Sequence, residues 1–149
     1  MKKKIIWLAM LGIFSVGMLQ AQLRKIPSEV TDAFKAKYPS ATNVEWKDNV
    51  SNFEAEFKMD KAECTAQFSS KGEWKESTKK MDFDALPAAV KDGFKKSKYN
   101  DWKTGSVRMI QENDKKTLYK IYAEKKGITQ KVFLYFNEEG QLEKNTSGI

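Results

Sequence analysis

The chain has 149 residues, of which 27 are lysine or arginine and 20 are aspartate or glutamate, giving a formal net charge of +7. It contains no histidine, which excludes the Ser–His and Cys–His pairs of most nucleophilic hydrolases and removes the commonest transition-metal ligand. Charges of the two signs are interspersed, which argues against nucleic-acid binding. We therefore expect a protein that is not an enzyme and that needs neither a cofactor nor a metal ion.

The first 21 residues predict a signal peptide. Three lysines follow Met1, and an apolar run from Ile5 to Leu19 ends in LQAQ, so a basic start, an apolar middle and a small residue before the cut come in order. The run is shorter than the roughly 20 residues that span a bilayer; an uncleaved membrane anchor is the alternative. Cleavage after Ala21 would leave residues 22–149 with 24 basic and 20 acidic side chains, a net charge of +4, and no stable membrane insertion.

The segment IPSEVTDAFKAKYP, which begins at Ile26, predicts an amphipathic helix. Val30, Phe34 and Tyr38 recur at helical spacing, and Pro39 ends the pattern. The segments TNVEW, NFEAEFKM, KAECTAQF and EWKES then predict four strands, with SSKG as the turn before the last. A helix of this length is not stable alone, so we expect it to pack on the sheet that these strands form.

The third of these strands contains the only cysteine of the chain. Ala62, Cys64, Ala66 and Phe68 alternate with polar residues, so all four point to the same side of the strand. A single cysteine cannot form an internal disulfide. We expect Cys64 to be a small buried core residue, with a reactive thiol as the alternative.

The second part of the chain repeats the first. The segment LPAAVKDGFKKSKY begins at Leu86 and predicts a second helix that ends near Asn100, and GSVRMI, TLYKIYAE, ITQKVFLYF and QLEK predict four more strands. Gly72 aligns with Gly140 at a turn, where glycine suits a backbone of positive φ. The repetition indicates a tandem duplication of one unit, a helix followed by an antiparallel meander.

The predicted fold is therefore of the α+β class. Both helices lie on one face of an open antiparallel sheet of about eight strands. Residues 22–149 are predicted to form a single domain made of two repeats, about 25–80 and 84–145, which share a core because neither is large enough to be stable alone.

These segments resemble the PepSY-like family of small exported bacterial proteins, which is also described as similar to the beta-lactamase inhibitor protein. The resemblance rests on the helix pattern IP..V...F...YP, the tryptophan of the next strand, and the FEAEF and FSSKGEW hairpin, and it covers most of residues 25–145 in two copies. It implies a tandem α/β fold with an open sheet, in a periplasmic or secreted protein of a Gram-negative bacterial envelope. It also implies protein binding through the uncovered face of the sheet, without identifying beta-lactamase as the target.

The strand in ITQKVFLYF carries aromatic side chains on the side away from the predicted core. Phe133 and Tyr135 point the same way, and Lys131 shares their side and places a cation beside the rings. The corresponding positions of the first repeat hold the polar residues Thr65 and Gln67. A strand that is apolar on both sides is either buried on both or exposes a binding surface. We predict that Phe133, Tyr135 and Lys131 contact a partner; cover by a loop or a chain end, and contact between copies of the chain, are the alternatives.

Pairs of carboxylates are the remaining candidates for chemistry. Glu54 and Glu56 share one side of a strand, and Glu138 and Glu139 are adjacent in a turn. Their polar, lysine-rich surroundings indicate solvated surface rather than an acid–base pair. The predicted function is that of a non-enzymatic exported binding protein, an inhibitor or modulator of a secreted or envelope protein. The alternative is a module that binds a small molecule or an envelope polymer, such as a sugar or a lipid, through the same face.

Overall fold

The structure, a computed structural model, describes residues 25–127 and 129–148. Within these residues the chain forms two α-helices and eight strands, and the strands lie side by side in chain order. Every neighbouring pair is antiparallel. The predicted α+β class, with two helices and an open antiparallel sheet of eight strands, is confirmed. The predicted signal peptide, residues 1–21, lies outside the described residues.

The elements follow one another in two similar series. The helices are α1 (Ser28–Lys37) and α2 (Ala88–Lys96), and a 3₁₀ helix (Phe83–Ala85) precedes α2. The strands are β1 (Thr42–Asp48), β2 (Phe53–Met59), β3 (Ala62–Phe68), β4 (Trp74–Met81), β5 (Lys103–Glu112), β6 (Thr117–Glu124), β7 (Lys131–Asn137) and β8 (Leu142–Ser147). Each α-helix is thus followed by four strands joined by short connections, as the sequence pattern predicts.

The second helix ends earlier than the sequence pattern indicates. It ends at Lys96, four residues before Asn100. The hydroxyl group of Ser97 donates a hydrogen bond of 2.7 Å to the carbonyl oxygen of Phe94 and accepts one of 3.2 Å from the N–H of Tyr99. Serine competes in this way for backbone groups that would otherwise continue the helix.

The buried hydrophobic side chains form two clusters, one under each helix. The first cluster, under α1, consists of Val30, Phe34, Phe53, Ala55, Phe57, Cys64, Ala66 and Phe68. The second cluster, under α2, consists of Leu86, Val90, Phe94, Tyr99, Val107, Tyr119, Ile121, Ala123, Val132, Leu134 and Phe136. The expectation that the two repeats share a core as one domain stays a prediction. Between the clusters, β4 and β5 place the polar residues Ser77 and Gln111 opposite each other, and this pair interrupts the apolar contact.

Cys64 is a buried residue of the first cluster, as its alternating pattern predicts. Burial raises the pKa of its thiol, which disfavours the reactive thiolate. Its Sγ atom lies 3.7 Å from the carbonyl oxygen of Ala62. The structure thus supports packing rather than reactivity as the role of this side chain.

Two turn glycines fix the distance between the sheet and the helices. Gly72 precedes β4 and Gly140 precedes β8, with φ angles of +80° and +78°. A Cβ atom on Gly72 would collide with the carbonyl group of Glu29 in α1, and one on Gly140 would collide with that of Ala89 in α2. A Cβ atom on Gly93 of α2 would likewise collide with the carbonyl group of Gly140. Each turn therefore needs glycine both for its backbone angle and for the approach of a helix.

Replacing Gly140 by alanine should destabilise the protein more than replacing Gly127. Both glycines have positive φ, +78° and +82°, but a Cβ atom on Gly127 would meet no atom within 4 Å. The left-handed backbone alone costs about 1–2 kcal/mol for alanine, and the collision with α2 should add about 1–3 kcal/mol at Gly140. Denaturant unfolding of the two variants measures the difference; equal losses of stability would contradict the proposed helix contact.

Candidate functional site

The candidate site lies on the side of the sheet that carries Phe133 and Tyr135, which we call the open face. These residues alternate along β7 with Val132, Leu134 and Phe136, which point into the second cluster. The neighbouring strands continue the open face because residues paired across a ladder point to the same side. Both predicted aromatic side chains are partly exposed there.

Three aromatic rings of the open face form what we call the aromatic patch: Tyr122, Phe133 and Tyr135. Tyr122 of β6 lies opposite Phe133 of β7, and their ring centroids are 5.5 Å apart. The ring of Phe133 therefore has an aromatic neighbour on the adjacent strand, a pairing that stabilises sheets. The sequence pattern identifies Phe133 and Tyr135 but misses Tyr122, which belongs to another strand.

The cations over these rings come from the neighbouring strands rather than from Lys131. The ammonium nitrogen of Lys120 lies 4.1 Å from the ring centroid of Phe133 and 5.5 Å from that of Tyr135. The ammonium nitrogen of Lys144 lies 4.5 Å from the Tyr135 centroid. Lys131 shares the open face but lies opposite Glu124. The contact of Lys131 with a partner stays a prediction, and Lys120 and Lys144 are the cations that lie over the rings.

The open face also has a small apolar centre. Ile110 of β5 and Leu118 of β6 lie opposite each other and are only 8% and 4% exposed. Neither belongs to the first or the second cluster. Ile110 follows Met109 and Leu118 precedes Tyr119, and both of these neighbours face the second cluster. Ile110 and Leu118 therefore point to the opposite side of the sheet, the open face. This pair extends the apolar character of the aromatic patch toward the middle of the sheet.

Charged side chains surround the apolar centre, and the two signs are unevenly placed. One cross-strand row runs Lys80, Arg108, Lys120, Tyr135 and Lys144, from β4 to β8. Another row runs Glu54, Gln67, Glu76 and Glu112, from β2 to β5. The half of the open face nearest the aromatic patch is therefore rich in cations, and the other half is rich in carboxylates.

Glu76 and Glu112 face each other directly across the β4–β5 ladder. Burial raises the pKa of Glu76, and the negative charges of Glu112 and Glu54 raise it further, while Lys120 and Lys144 act in the opposite direction. Like charges directly opposite in a sheet are destabilising. Glu76 therefore loses its proton at a higher pH than a free carboxylic acid does.

The carboxylates singled out in the sequence have separate partners. Glu54 accepts a hydrogen bond of 3.0 Å from the amide nitrogen of Gln67, and Glu56 forms an ion pair with Lys47. Glu138 and Glu139 are exposed in the turn between β7 and β8. Across residues 25–127 and 129–148, no three side chains of the types that bind metals come together in one group.

The open face has a shallow depression in its first half, of about 400 Å³. Charged or polar side chains of the open face line most of it, and Arg108 connects it with the aromatic patch. These side chains are those of Glu45, Glu56, Lys58, Glu63, Thr65 and Arg108. This lining is suited to a polar surface rather than to an apolar small molecule.

Comparison with known proteins gives one matching family and several similar solved structures. The family described as "Putative beta-lactamase-inhibitor-like, PepSY-like" matches residues 51–144. No relative is found among curated proteins. Neither helix in the described part of the chain is long and apolar enough to cross a membrane.

Three of the similar structures come from Bacteroides. A BLIP-like protein of Bacteroides fragilis NCTC 9343 is 26% identical, with a TM-score of 0.79, over 85% of this chain and 89% of its own. A DUF2874 family protein of Bacteroides ovatus ATCC 8483 is 23% identical, with a TM-score of 0.79, over 83% and 88%. A protein described among the "putative periplasmic proteins" of Bacteroides eggerthii DSM 20697 is 23% identical, with a TM-score of 0.78, over 83% and 89%.

Replacing Glu76 by glutamine should raise the unfolding temperature at pH 7, because the change removes one of two opposed carboxylates. The effect should be a few tenths of a kcal/mol, the scale of a cross-strand pair at a partly exposed site. Because the pKa of Glu76 is raised in the fold, the native state binds this proton more tightly than the unfolded chain does, and stability falls as pH rises above the ordinary value of 4.5.

The advantage of the Glu76→Gln variant should therefore shrink as the pH is lowered from 7 toward 4.5, where the wild-type carboxyl group becomes protonated. Thermal unfolding of both proteins across this range measures it. Glu139→Gln, in an exposed turn, is the matched control and should change nothing. A lower unfolding temperature for Glu76→Gln at pH 7 would contradict the repulsion between Glu76 and Glu112.

Proposed function

Because the chain belongs to the PepSY-like, beta-lactamase-inhibitor-like family, we propose that it is an exported, non-enzymatic protein that binds another protein through the open face. The observation that carries this proposal is the partly exposed aromatic patch. Aromatic side chains are favoured at the centres of protein interfaces because they bury a large area with few rotatable bonds. Phe133 and Tyr135 are the proposed central contacts, with Lys131 at the margin.

The first half of the sheet supports this assignment by contrast. The residues that correspond to Phe133 and Tyr135 are Thr65 and Gln67. The hydroxyl group of Thr65 is hydrogen-bonded at 2.9 Å with that of Thr78 on the adjacent strand, and Gln67 donates to Glu54. The polar side chains there satisfy one another within the sheet. The fold therefore does not require aromatic residues at these positions, and their presence in β7 favours a binding role.

A protein partner fits the aromatic patch better than a sugar does. A sugar ring would stack on the faces of the aromatic rings, but Lys120 lies over Phe133 and Lys144 lies over Tyr135. A sugar would have to displace these ammonium groups and forfeit their attraction to the rings. A protein surface can instead contact the lysines and the ring edges together. The module that binds a sugar or a lipid remains the alternative function.

The proposal of a non-enzymatic role is supported by the chemistry that the chain offers. The sequence has no histidine, and its one thiol is buried with a raised pKa. The carboxylates singled out in the sequence are engaged with Lys47 or Gln67, or are solvated in a turn. The facing pair Glu76 and Glu112 lies on the open face, whereas Cys64 points into the first cluster. The candidate nucleophile and the candidate bases are thus not brought together in one site.

We further propose that the domain, residues 22–149, is a duplication of two repeats, about 25–80 and 84–145. The turn before β4 and the turn before β8 support it, since Gly72 N–H donates to Ser69 and Gly140 N–H donates to Asn137, each at 3.0 Å. The placement of both helices on one face is supported by a row of paired residues that joins the two clusters. The row runs Cys64, Lys79, Met109, Tyr119 and Phe136.

Export places the protein in the periplasm or outside the cell. The basic start and apolar run of the first 21 residues support this localisation. The protein of similar fold from Bacteroides eggerthii is described among "putative periplasmic proteins", which supports the same localisation. A Gram-negative envelope is the proposed setting, and a protein of that envelope or of the secreted fraction is the proposed partner.

Replacing Phe133 by serine together with Tyr135 by threonine should leave the fold stable to within about 1 kcal/mol, because both side chains are partly exposed. The same pair of changes should weaken partner binding by at least about 2 kcal/mol, the scale of an interface hot spot. Thermal unfolding measures the first effect. Capture from envelope extract, followed by titration of the single stoichiometric partner, measures the second.

The matched control is the double change Glu54→Gln and Glu56→Gln, on the first half of the open face. It should leave partner binding unchanged. A large loss of stability in the aromatic variant would show that Phe133 and Tyr135 are core residues, and unchanged binding would show that the partner docks elsewhere. A sugar or lipid found in the purified protein, without a protein partner, would favour the alternative function.

The mature protein should begin at or near Gln22. Mass spectrometry of the protein purified from its native host should find this N-terminus, because the sequence LQA precedes the predicted cut. An intact chain beginning at Met1 and recovered in the membrane fraction would rule out the proposed export with cleavage.

A further inference from the structure

Two lysines of the open face lie over the rings of the aromatic patch. Lys120 and Lys144 point toward aromatic rings, and in the described part of the chain neither has a carboxylate oxygen within 4.0 Å. Their neighbours are paired: Lys116 forms an ion pair with Glu143, and Lys103 forms one with Glu124. What distinguishes Lys120 and Lys144 is that both lie over rings of the aromatic patch without a carboxylate partner.

The two ammonium groups are close enough to act together. Their nitrogen atoms lie 5.5 Å and 4.5 Å from the centroid of the same ring, that of Tyr135, so they are at most 10.0 Å apart. Arg108, next to Lys120 in the same cross-strand row, adds a third cation and donates only a long bond of 3.5 Å to Thr78. Two carboxylates on one short peptide segment can therefore contact Lys120 and Lys144 at the same time.

We propose that this half of the open face recognises a carboxylate-bearing segment of a protein, held between Lys120 and Lys144 over the aromatic patch. The inference rests on the proposed function and names the chemistry of its partner. Charge-assisted hydrogen bonds to the two ammonium groups supply specificity, and contact with the rings of Phe133 and Tyr135 supplies apolar burial. A glutamate or aspartate beside an apolar side chain is the matching surface.

The carboxylates of the open face select against a continuous polyanion. Glu76 lies near enough to both lysines for their charges to affect it, and Glu112 faces it across the ladder. Glu54 and Glu56 extend the negative charge across the first half. An anionic bilayer or a sulfated polysaccharide would bring negative charge onto both halves and be repelled by one of them. A protein segment can present carboxylates to the second half alone.

Peptide titration followed by NMR tests the proposal. The 15N-labelled protein is titrated with acetyl-Gly-Glu-Leu-Glu-Gly-amide and, as the matched probe, with acetyl-Gly-Gln-Leu-Gln-Gly-amide. We expect the acidic peptide to bind at least fivefold more tightly at low salt, to shift the backbone amide signals of β6, β7 and β8 rather than those of β1 to β3, and to lose most of this advantage in 0.5 M salt.

Three variants test which side chains cause the preference for the acidic peptide. The double change Lys120→Gln and Lys144→Gln should remove the preference for the acidic peptide. Lys58→Gln, which removes a cation of the first half of the open face, is the matched control and should preserve the preference. Glu76→Gln should tighten binding of the acidic peptide at least twofold and leave the amide peptide unchanged, because it removes a carboxylate that competes for the same lysines.

Equal binding of the two peptides, or no binding of the acidic one, would overturn the proposal. So would tighter binding of heparin or of phosphatidylglycerol vesicles than of the acidic peptide at the same residues, which would identify a polyanion site instead. Failure here is distinguishable from failure of the proposed function. If the aromatic double variant loses its protein partner while the lysine double variant keeps it, the open face binds a protein but does not select for carboxylates.

Discussion

The ladder between β4 and β5 holds the two halves of the sheet together. Six consecutive pairs, from Glu76↔Glu112 to Met81↔Val107, join strands that belong to different series of elements. Because the hydrophobic clusters remain separate, this ladder and its side chains are the main connection between the helix-covered halves. A shift of one residue in its register would turn every side chain of one half to the other face.

The open face depends on that register. The row from Lys80 through Arg108 and Lys120 to Lys144 crosses the junction, so cations of the first and second series are aligned only while β4 and β5 keep their pairing. The same pairing sets Glu76 against Glu112. The sheet tolerates this repulsion at its centre because the side chains are partly exposed and Lys120 and Lys144 lie near enough to offset it.

Local sequence patterns predict the elements well because each depends on near neighbours. The two helices and eight strands follow from apolar spacing, prolines and turn glycines, and Phe133 with Tyr135 follows from the alternation within one strand. The division of the buried side chains into two clusters is harder to predict because it depends on which residues meet at the junction, and the polar pair Ser77 and Gln111 meets there. Lys120, Lys144 and the pair of Ile110 and Leu118 escape detection for the same reason, since only the pairing of strands brings them beside one another.

The two halves of the open face differ in how their side chains are already engaged, and this difference decides which half is better suited to binding. In the first half, Thr65, Gln67 and Glu56 each have a polar partner within the sheet. In the second half, lysines without carboxylate partners lie over aromatic rings. Breaking the polar contacts of the first half to bind a partner would carry the cost of lost hydrogen bonds. The lysines of the second half can gain a charged partner while losing only a weak attraction to the rings. Binding is therefore favoured on that half, although both halves have the same backbone pairing.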